Sequence, residues 1–160
     1  MTEQDFDALY GILGDSDIMQ HYPYIFDEKR VRGWIRKNRE RYSVFGFGLW
    51  AVCLRESGAM IGDCGLTMQN VDGTILPEIG YHLARAHQRQ GYAREAARAC
   101  RDWTFAHTPF GIVYSVMKET NTPSSAVARA NGMQLLRVFT DSEGEQTAVY
   151  AITRVEWMTL

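Results

Sequence analysis

The chain has 160 residues and a formal net charge of -2 at pH 7, with 46% hydrophobic and 22% charged residues. This length corresponds to about one domain, and the composition excludes a disordered, collagen-like or coiled-coil chain. The near balance of acidic and basic residues indicates no general nucleic-acid-binding surface. We therefore expect residues 1–160 to form a single globular domain without a nucleic-acid partner.

The cysteines and the first residues indicate in which cellular compartment the protein acts. Cys53, Cys64 and Cys100 lie far apart and form no C-x-x-C motif. The sequence therefore predicts three reduced thiols, with neither a disulfide framework nor a metal site. The chain start lacks the basic and apolar stretches of a signal peptide, and no later segment is apolar for long enough to cross a bilayer. We expect a cytoplasmic protein with no membrane partner.

The first half of the chain predicts two helices followed by three strands. Phe6, Leu9 and Leu13 have helical spacing after a Thr2–Asp5 pair that is typical of a capping box. Asp27 can cap a second, largely basic helix with an apolar stripe. Short apolar runs separated by turns then predict an antiparallel meander with strands at 49–54, 60–68 and 74–83.

The second half begins with the strongest helical pattern of the chain. Its predicted apolar face carries Ala93, Ala97 and Cys100, and Arg101 falls among the charged residues opposite. A strand at 112–117 should follow, and then a helix that is N-capped by Thr122 and stops at Gly132. A hairpin with strands at 133–139 and 147–155 completes the prediction.

A glycine turn lies between the strand that ends near Leu83 and this strong helix. A helix start offers unpaired N–H groups, and glycine lets an anion approach the main chain. The turn is therefore a candidate pyrophosphate site, although one such glycine is also typical of a simple connector. Its residues are Gln88, Arg89, Gln90, Gly91, Tyr92 and Ala93.

Four segments together resemble, in order and spacing, the GNAT acyl-CoA N-acetyltransferases. They read PEIGYHL at 77–83, QRQGYA at 88–93, NTPS at 121–124 and NGM at 131–133. The nearest branch is similar to the ribosomal-protein N-terminal acetyltransferases often called RimJ/RimL. The resemblance extends over about residues 2–155. It implies an α+β fold with a mixed, mostly antiparallel twisted sheet, flanking helices, and central strands that splay apart around acetyl-CoA.

The same resemblance implies residues for the co-substrate. Residues 88–93 match the pyrophosphate loop of the family. Asn121 matches the family's N-x-x-S motif near the thiol end of the cofactor. The strand end that hydrogen-bonds the pantetheine arm corresponds to Tyr81, His82 and Leu83.

Transfer of an acyl group to an amine needs a neutral amine, a polarised carbonyl and a route for the proton. Glu78 is the candidate general base, acting through water, and a glutamate that only positions substrate is the alternative. Ser124 is the candidate hydrogen-bond donor to the thiolate, because the resemblance places the family's usual tyrosine at Ala128; a serine at a helix start is also an ordinary capping residue. His82 and His87 have no third ligand and are interpreted as packing or surface histidines.

The resemblance implies acetyl transfer from acetyl-CoA to a primary amine, but it does not identify the acceptor. An α-amine with a pKa near 8 is roughly a tenth neutral at pH 7, whereas a lysine-like amine with a pKa of about 10.4 is under about a thousandth neutral. A peptide or protein N-terminus is therefore favoured over a small-molecule amine such as a polyamine or amino sugar. A non-catalytic CoA-binding regulatory module is the remaining alternative.

Members of this branch usually carry a strand before the segment that corresponds to 5–9, and this sequence has none there. Either the given sequence starts after that strand, or the sheet leaves the strand at 49–54 as an uncovered edge. It contains neither charge nor proline, and such an apolar edge invites pairing. We expect either a homodimer or coverage of this edge by the N-terminal helix.

Overall fold

The computed structural model describes residues 1–22, 24 and 26–160. Its helices are α1 Phe6–Leu13, α2 Glu28–Phe45, α3 Tyr92–His107, α4 Thr122–Ala130 and α5 Arg154–Trp157. Its strands are β1 Leu49–Cys53, β2 Met60–Val71, β3 Thr74–Leu83, β4 Ile112–Lys118, β5 Gln134–Thr140 and β6 Gln146–Thr153. Contacts cluster in two compact units, the first made of residues 1–65 and 81–96, the second of residues 66–80 and 97–160.

The strands form one six-stranded sheet in the order β1-β2-β3-β4-β6-β5. β1 is antiparallel to β2, and β6 is antiparallel to both of its neighbours. β3 and β4 are parallel and are paired at Glu78 with Tyr114, whereas β4 and β6 pair over seven residues. The predicted α+β class with a mostly antiparallel sheet is confirmed.

The first unit packs α1 against α2 around aliphatic side chains. Asp27 caps α2 by accepting a hydrogen bond from the Arg30 amide at 2.8 Å, and Thr2 with Asp5 forms the predicted capping box. These caps satisfy amides that a helix start otherwise leaves unpaired. The buried cluster consists of Leu9, Ile12, Leu13, Met19, Phe26, Val31 and Ile35.

Two glycines let β2 approach its neighbours closely. A Cβ atom at Gly62 would lie 2.2 Å from the carbonyl oxygen of His82, and one at Gly65 would lie 2.0 Å from that of Gly48. No side chain fits at either distance. Gly62 therefore fixes how near the end of β3 lies to β2.

In the second unit Arg101 departs from the prediction, because it is buried and only 6% exposed. Its guanidinium donates to the Asn131 carbonyl oxygen at 2.6 Å and to Asp102 Oδ1 at 2.7 and 2.9 Å. These partners compensate the charge, which makes burial tolerable. Helical periodicity alone placed Arg101 on the solvent face, because it carries no information about these hydrogen-bond partners.

Several element ends also differ from the predictions. The N-cap of α4 is Asn121 and not Thr122, since Asn121 Oδ1 accepts the Ser124 amide hydrogen at 3.2 Å. The last strand stops at Thr153, because Thr153 and Glu156 form a capping box that starts α5. β2 runs on to Val71, beyond the predicted end at 68. Within the described ranges, no helix is long and apolar enough to cross a membrane.

Candidate functional site

The loop at 88–93 combines two residues in the left-handed region. Arg89 has a φ of 59° and Gly91 a φ of 91°. A non-glycine residue at positive φ is uncommon and is characteristic of tight functional turns. Gln88 Nε2 donates to the Leu83 carbonyl oxygen at 3.1 Å, and Gln90 Nε2 donates to that of Ala86 at 2.7 Å. The two glutamine side chains thus hold the loop, and Gln88 ties it to the end of β3.

Gly91 lies immediately before the first residue of α3, a helix of 16 residues. The Glu95 amide donates to the Gly91 carbonyl oxygen at 2.9 Å, which closes the first turn. Apart from Gly91 and its two chain neighbours, no heavy atom of the described residues lies within 4 Å of the position that a Cβ at Gly91 would occupy. An anion can therefore approach the amides at this helix start.

His82 connects three elements of the first unit by hydrogen bonds. Its Nε2 lies 2.7 Å from Tyr22 Oη, and its Nδ1 lies 2.7 Å from Asp63 Oδ1. Trp34 Nε1 donates to the other carboxylate oxygen of Asp63 at 2.9 Å. His82 is 7% exposed and Asp63 is fully buried. The His82 side chain is therefore buried, with a hydrogen-bond partner at each ring nitrogen.

The Asp63 carboxylate also acts on a second tyrosine. Burial and, next, the charge of Asp63 raise the pKa of Tyr42 to about 12. Sequence reasoning missed Tyr22, Trp34 and Asp63 as partners of His82. The available signal was Asp63 itself, a carboxylate inside an otherwise apolar strand. Among residues 1–22, 24 and 26–160, no three His, Cys, Asp or Glu side chains form a group that could hold a metal ion.

Glu78, Asn121 and Ser124 all lie in the second unit. Glu78 is half-buried on β3, and its Oε1 accepts a hydrogen bond from the Val116 amide of β4 at 3.2 Å. This contact orients one carboxylate oxygen toward β4. The Asn121 side chain is engaged as the N-cap of α4 and thereby fixes Ser124, which is half-buried in the first turn of that helix.

An ion-paired cluster lies at the end of β4, near the start of α4. Lys118 Nζ donates to Asp141 Oδ2 at 2.7 Å and to Glu143 Oε2 at 2.8 Å. The ammonium group first, and Thr147 next, hold the pKa of Asp141 well below its ordinary range. Hydrogen bonds to Asp141 and Glu143 likewise raise the pKa of Lys118. Lys118 is thus held as a cation at neutral pH.

Comparisons with known proteins agree with this arrangement. A family model described as the acetyltransferase (GNAT) domain matches residues 1–134. The protein YkkB of Bacillus subtilis (strain 168) is 35% identical over 134 residues, which cover 83% of this chain and 78% of YkkB.

Solved structures show the same fold. The acetyltransferase from Agrobacterium tumefaciens str. C58 has 27% sequence identity and a TM-score of 0.81, with 95% of this chain and 86% of that chain covered. RimL, the ribosomal L7/L12 α-N-protein acetyltransferase solved in complex with coenzyme A, has 19% identity and a TM-score of 0.79, with 96% and 90% covered. The likeness to RimL is one of fold.

Proposed function

This chain belongs to the GNAT acetyltransferase family, and on that premise we propose that it transfers the acetyl group of acetyl-CoA to a primary amine. The observation that carries the proposal is the loop at 88–93. Its positive φ at Arg89 and Gly91 and the open space beside Gly91 expose amides at the start of a long helix. Such amides and the helix dipole favour a bound pyrophosphate.

The co-substrate binds through main-chain groups on this proposal. Amides within 88–93 hold the pyrophosphate, and main-chain groups of Tyr81, His82 and Leu83 hold the pantetheine arm. Gln88 serves by holding the loop against Leu83, as its hydrogen bond indicates. The acetyl-CoA supplies an activated thioester carbonyl, which backbone N–H groups can polarise.

We assign two polar side chains to the reaction. Glu78 accepts the first proton of the incoming ammonium group through a water molecule. Its bond to the Val116 amide keeps the carboxylate in one orientation. The Ser124 hydroxyl donates a hydrogen bond to the CoA thiolate, and Asn121 positions Ser124 by capping its helix.

The acceptor we propose is the α-amine of a peptide or protein N-terminus. A single carboxylate that acts through water is a modest base, so an amine that is already roughly a tenth neutral at pH 7 suits it better than a lysine-like amine. Cys53, Cys64 and Cys100 lie far apart in the sequence and form no C-x-x-C motif, a pattern typical of proteins that act in the reducing cytoplasm.

The test is CoA release measured with a panel of amines at pH 7. The panel contains two peptides and two small amines. One peptide has a free N-terminus; the other has the same sequence with an acetylated N-terminus and one lysine side chain. The small amines are spermidine and glucosamine. We expect the free N-terminus to give the highest kcat/KM. Faster turnover of spermidine or glucosamine would assign a small-molecule acceptor. CoA binding without release from any amine would establish a non-catalytic module, and absence of CoA binding would overturn the proposal.

A further inference from the structure

We propose that Tyr22, with His82 and Asp63 behind it, forms a proton relay for acetyl transfer. Tyr22 accepts the proton that the amine nitrogen loses as the C–N bond forms, and the relay returns that proton to the CoA sulfur. The inference rests on the proposed acetyltransferase function and adds residues to it. Tyr22, His82, Asp63 and Trp34 all belong to the first unit.

The fully buried carboxylate of Asp63 calls for a function beyond packing. Removing a carboxylate from water is costly unless its partners compensate the lost hydration. Asp63 lies on β2 among buried residues that include Ile61 and Leu66, where an apolar side chain would be less costly.

The available donors and acceptors assign a direction to the relay. The Trp34 indole can only donate, so Asp63 Oδ2 accepts from it. With Asp63 ionised, its Oδ1 accepts the proton on His82 Nδ1, and we therefore assign the Nδ1–H tautomer. His82 Nε2 is then an acceptor and takes the hydrogen bond of the Tyr22 hydroxyl. Every step thus points from Tyr22 toward Asp63.

Exposure decreases along the relay in the same direction. Tyr22 is 42% exposed, His82 is 7% exposed and Asp63 is fully buried. The Tyr22 side chain can therefore meet an incoming amine, while the carboxylate stays in the core. His82 is also the middle residue of the strand end at 81–83, which the proposed function assigns to the pantetheine arm. Tyr22, which is hydrogen-bonded to His82, is therefore one side chain away from the segment assigned to the cofactor.

The proton transfers balance without another reagent. When the neutral amine attacks, the C–N bond forms and the nitrogen passes one proton to Tyr22 Oη. The hydroxyl proton of Tyr22 moves at the same time to His82 Nε2, and Asp63 stabilises the resulting imidazolium. When the C–S bond breaks, its electron pair goes to sulfur. The relay then runs backwards and protonates the thiolate, which restores Tyr22 and neutral His82.

The decisive variant is Tyr22→Phe, which removes the hydroxyl and keeps the ring. Tyr24→Phe is its matched control, because Tyr24 is 47% exposed in the same segment and its ring lies under the Arg30 guanidinium. Both are assayed by CoA release with the best amine of the wild-type panel. Asp63→Asn, checked for folding by thermal unfolding, tests the far end of the relay.

We expect Tyr22→Phe to lower kcat at least tenfold, with the KM for acetyl-CoA within twofold and an altered solvent deuterium isotope effect. Tyr24→Phe should stay within twofold of the wild type. Asp63→Asn should lower kcat in the same manner while the KM for acetyl-CoA is unchanged. Loss of a purely structural contact would not change the isotope effect, so this measurement distinguishes the two roles.

Three results would overturn the relay. If the wild type is active and Tyr22→Phe has the same kcat, the relay is rejected while the proposed function stands. A rise confined to the KM for the amine, with kcat and the isotope effect unchanged, would make Tyr22 a substrate contact without proton transfer. A wild-type protein inactive with every amine of the panel would overturn the proposed function, and the relay with it.

Discussion

The Leu49 amide donates a hydrogen bond to Asn38 Oδ1 at 2.9 Å, which joins the first residue of β1 to a fully buried side chain of α2. The hydroxyl of Tyr42, one turn further along α2, donates to the Leu49 carbonyl oxygen. Both outward main-chain groups of Leu49 are thus satisfied by α2. The expectation that α1 covers this edge is wrong for Leu49, because the partners come from the second helix.

Asn38→Ala should lower the free energy of unfolding by about 1–3 kcal/mol. It leaves the buried Leu49 amide without its acceptor and removes the bond from Asn38 Nδ2 to the Trp34 carbonyl oxygen. Urea unfolding followed by circular dichroism measures the change. Asn70→Ala, which truncates an exposed amide on β2, is the control and should shift stability by under about 0.5 kcal/mol. Equal effects of the two changes would contradict the assigned role of Asn38.

A homodimer paired through β1 stays a prediction. By the alternation of an antiparallel pair, Ala51 and Cys53 direct their main-chain groups to the same side as Leu49. The hydrogen bonds of Leu49 with Asn38 and Tyr42 pair the first of these residues with α2. Sedimentation of the wild-type chain over a range of concentrations would decide whether a second copy covers the remaining edge.

Gly91→Val should weaken acetyl-CoA binding at least about tenfold, or 1.4 kcal/mol, in calorimetry. Valine disfavours a φ of 91° and fills the space through which a phosphate would reach the loop. Gly58→Val is matched for backbone strain, because Gly58 has a φ of 71° and open space around its Cβ position. That control should bind normally. Unchanged affinity in folded Gly91→Val would reject the loop as the pyrophosphate site.

Glu78→Gln should reduce kcat at pH 7 more than it reduces acetyl-CoA affinity. Glutamine keeps an oxygen to accept the Val116 amide, so the variant isolates the loss of charge. Because solution deprotonation of the amine replaces a missing base, the deficit should shrink at pH 9.5. Glu56→Gln, in an exposed turn, controls for net charge. Equal fractional losses at pH 7 and pH 9.5 would indicate that Glu78 positions substrate only.

Asp141→Asn should destabilise the protein at pH 7, and this deficit should become smaller as the pH is lowered to 2.5. Lys118 and Thr147 hold the pKa of Asp141 below its ordinary value of 3.8. A carboxyl group with a lowered folded pKa contributes stability above its unfolded pKa, and this contribution is lost as the pH falls through the folded value. Urea midpoints at both pH values measure it. A deficit of the same size at pH 2.5 would show that charge is not the cause.

Local patterns predicted most elements because the responsible interactions lie within a few residues. The capping box of Thr2 with Asp5 and the cap at Asp27 are three-residue relationships, and β3 begins and ends as its apolar run predicts. The error at Asn121 has the same local origin. Thr122 and Asn121 are both good N-caps, and only the backbone course at Pro123 decides between them.

Periodicity, caps and glycine turns act over short separations, so the residue pattern predicted the order of the elements and the candidate loop at 88–93. The α+β class followed from the resemblance to the GNAT family. Tertiary structure alone decided which polar side chains become buried. Arg101 finds the Asn131 carbonyl 30 residues away, and His82 finds Tyr22 at a separation of 60. A polar group enters the core only where a distant partner compensates its lost hydration, and no local pattern specifies that partner.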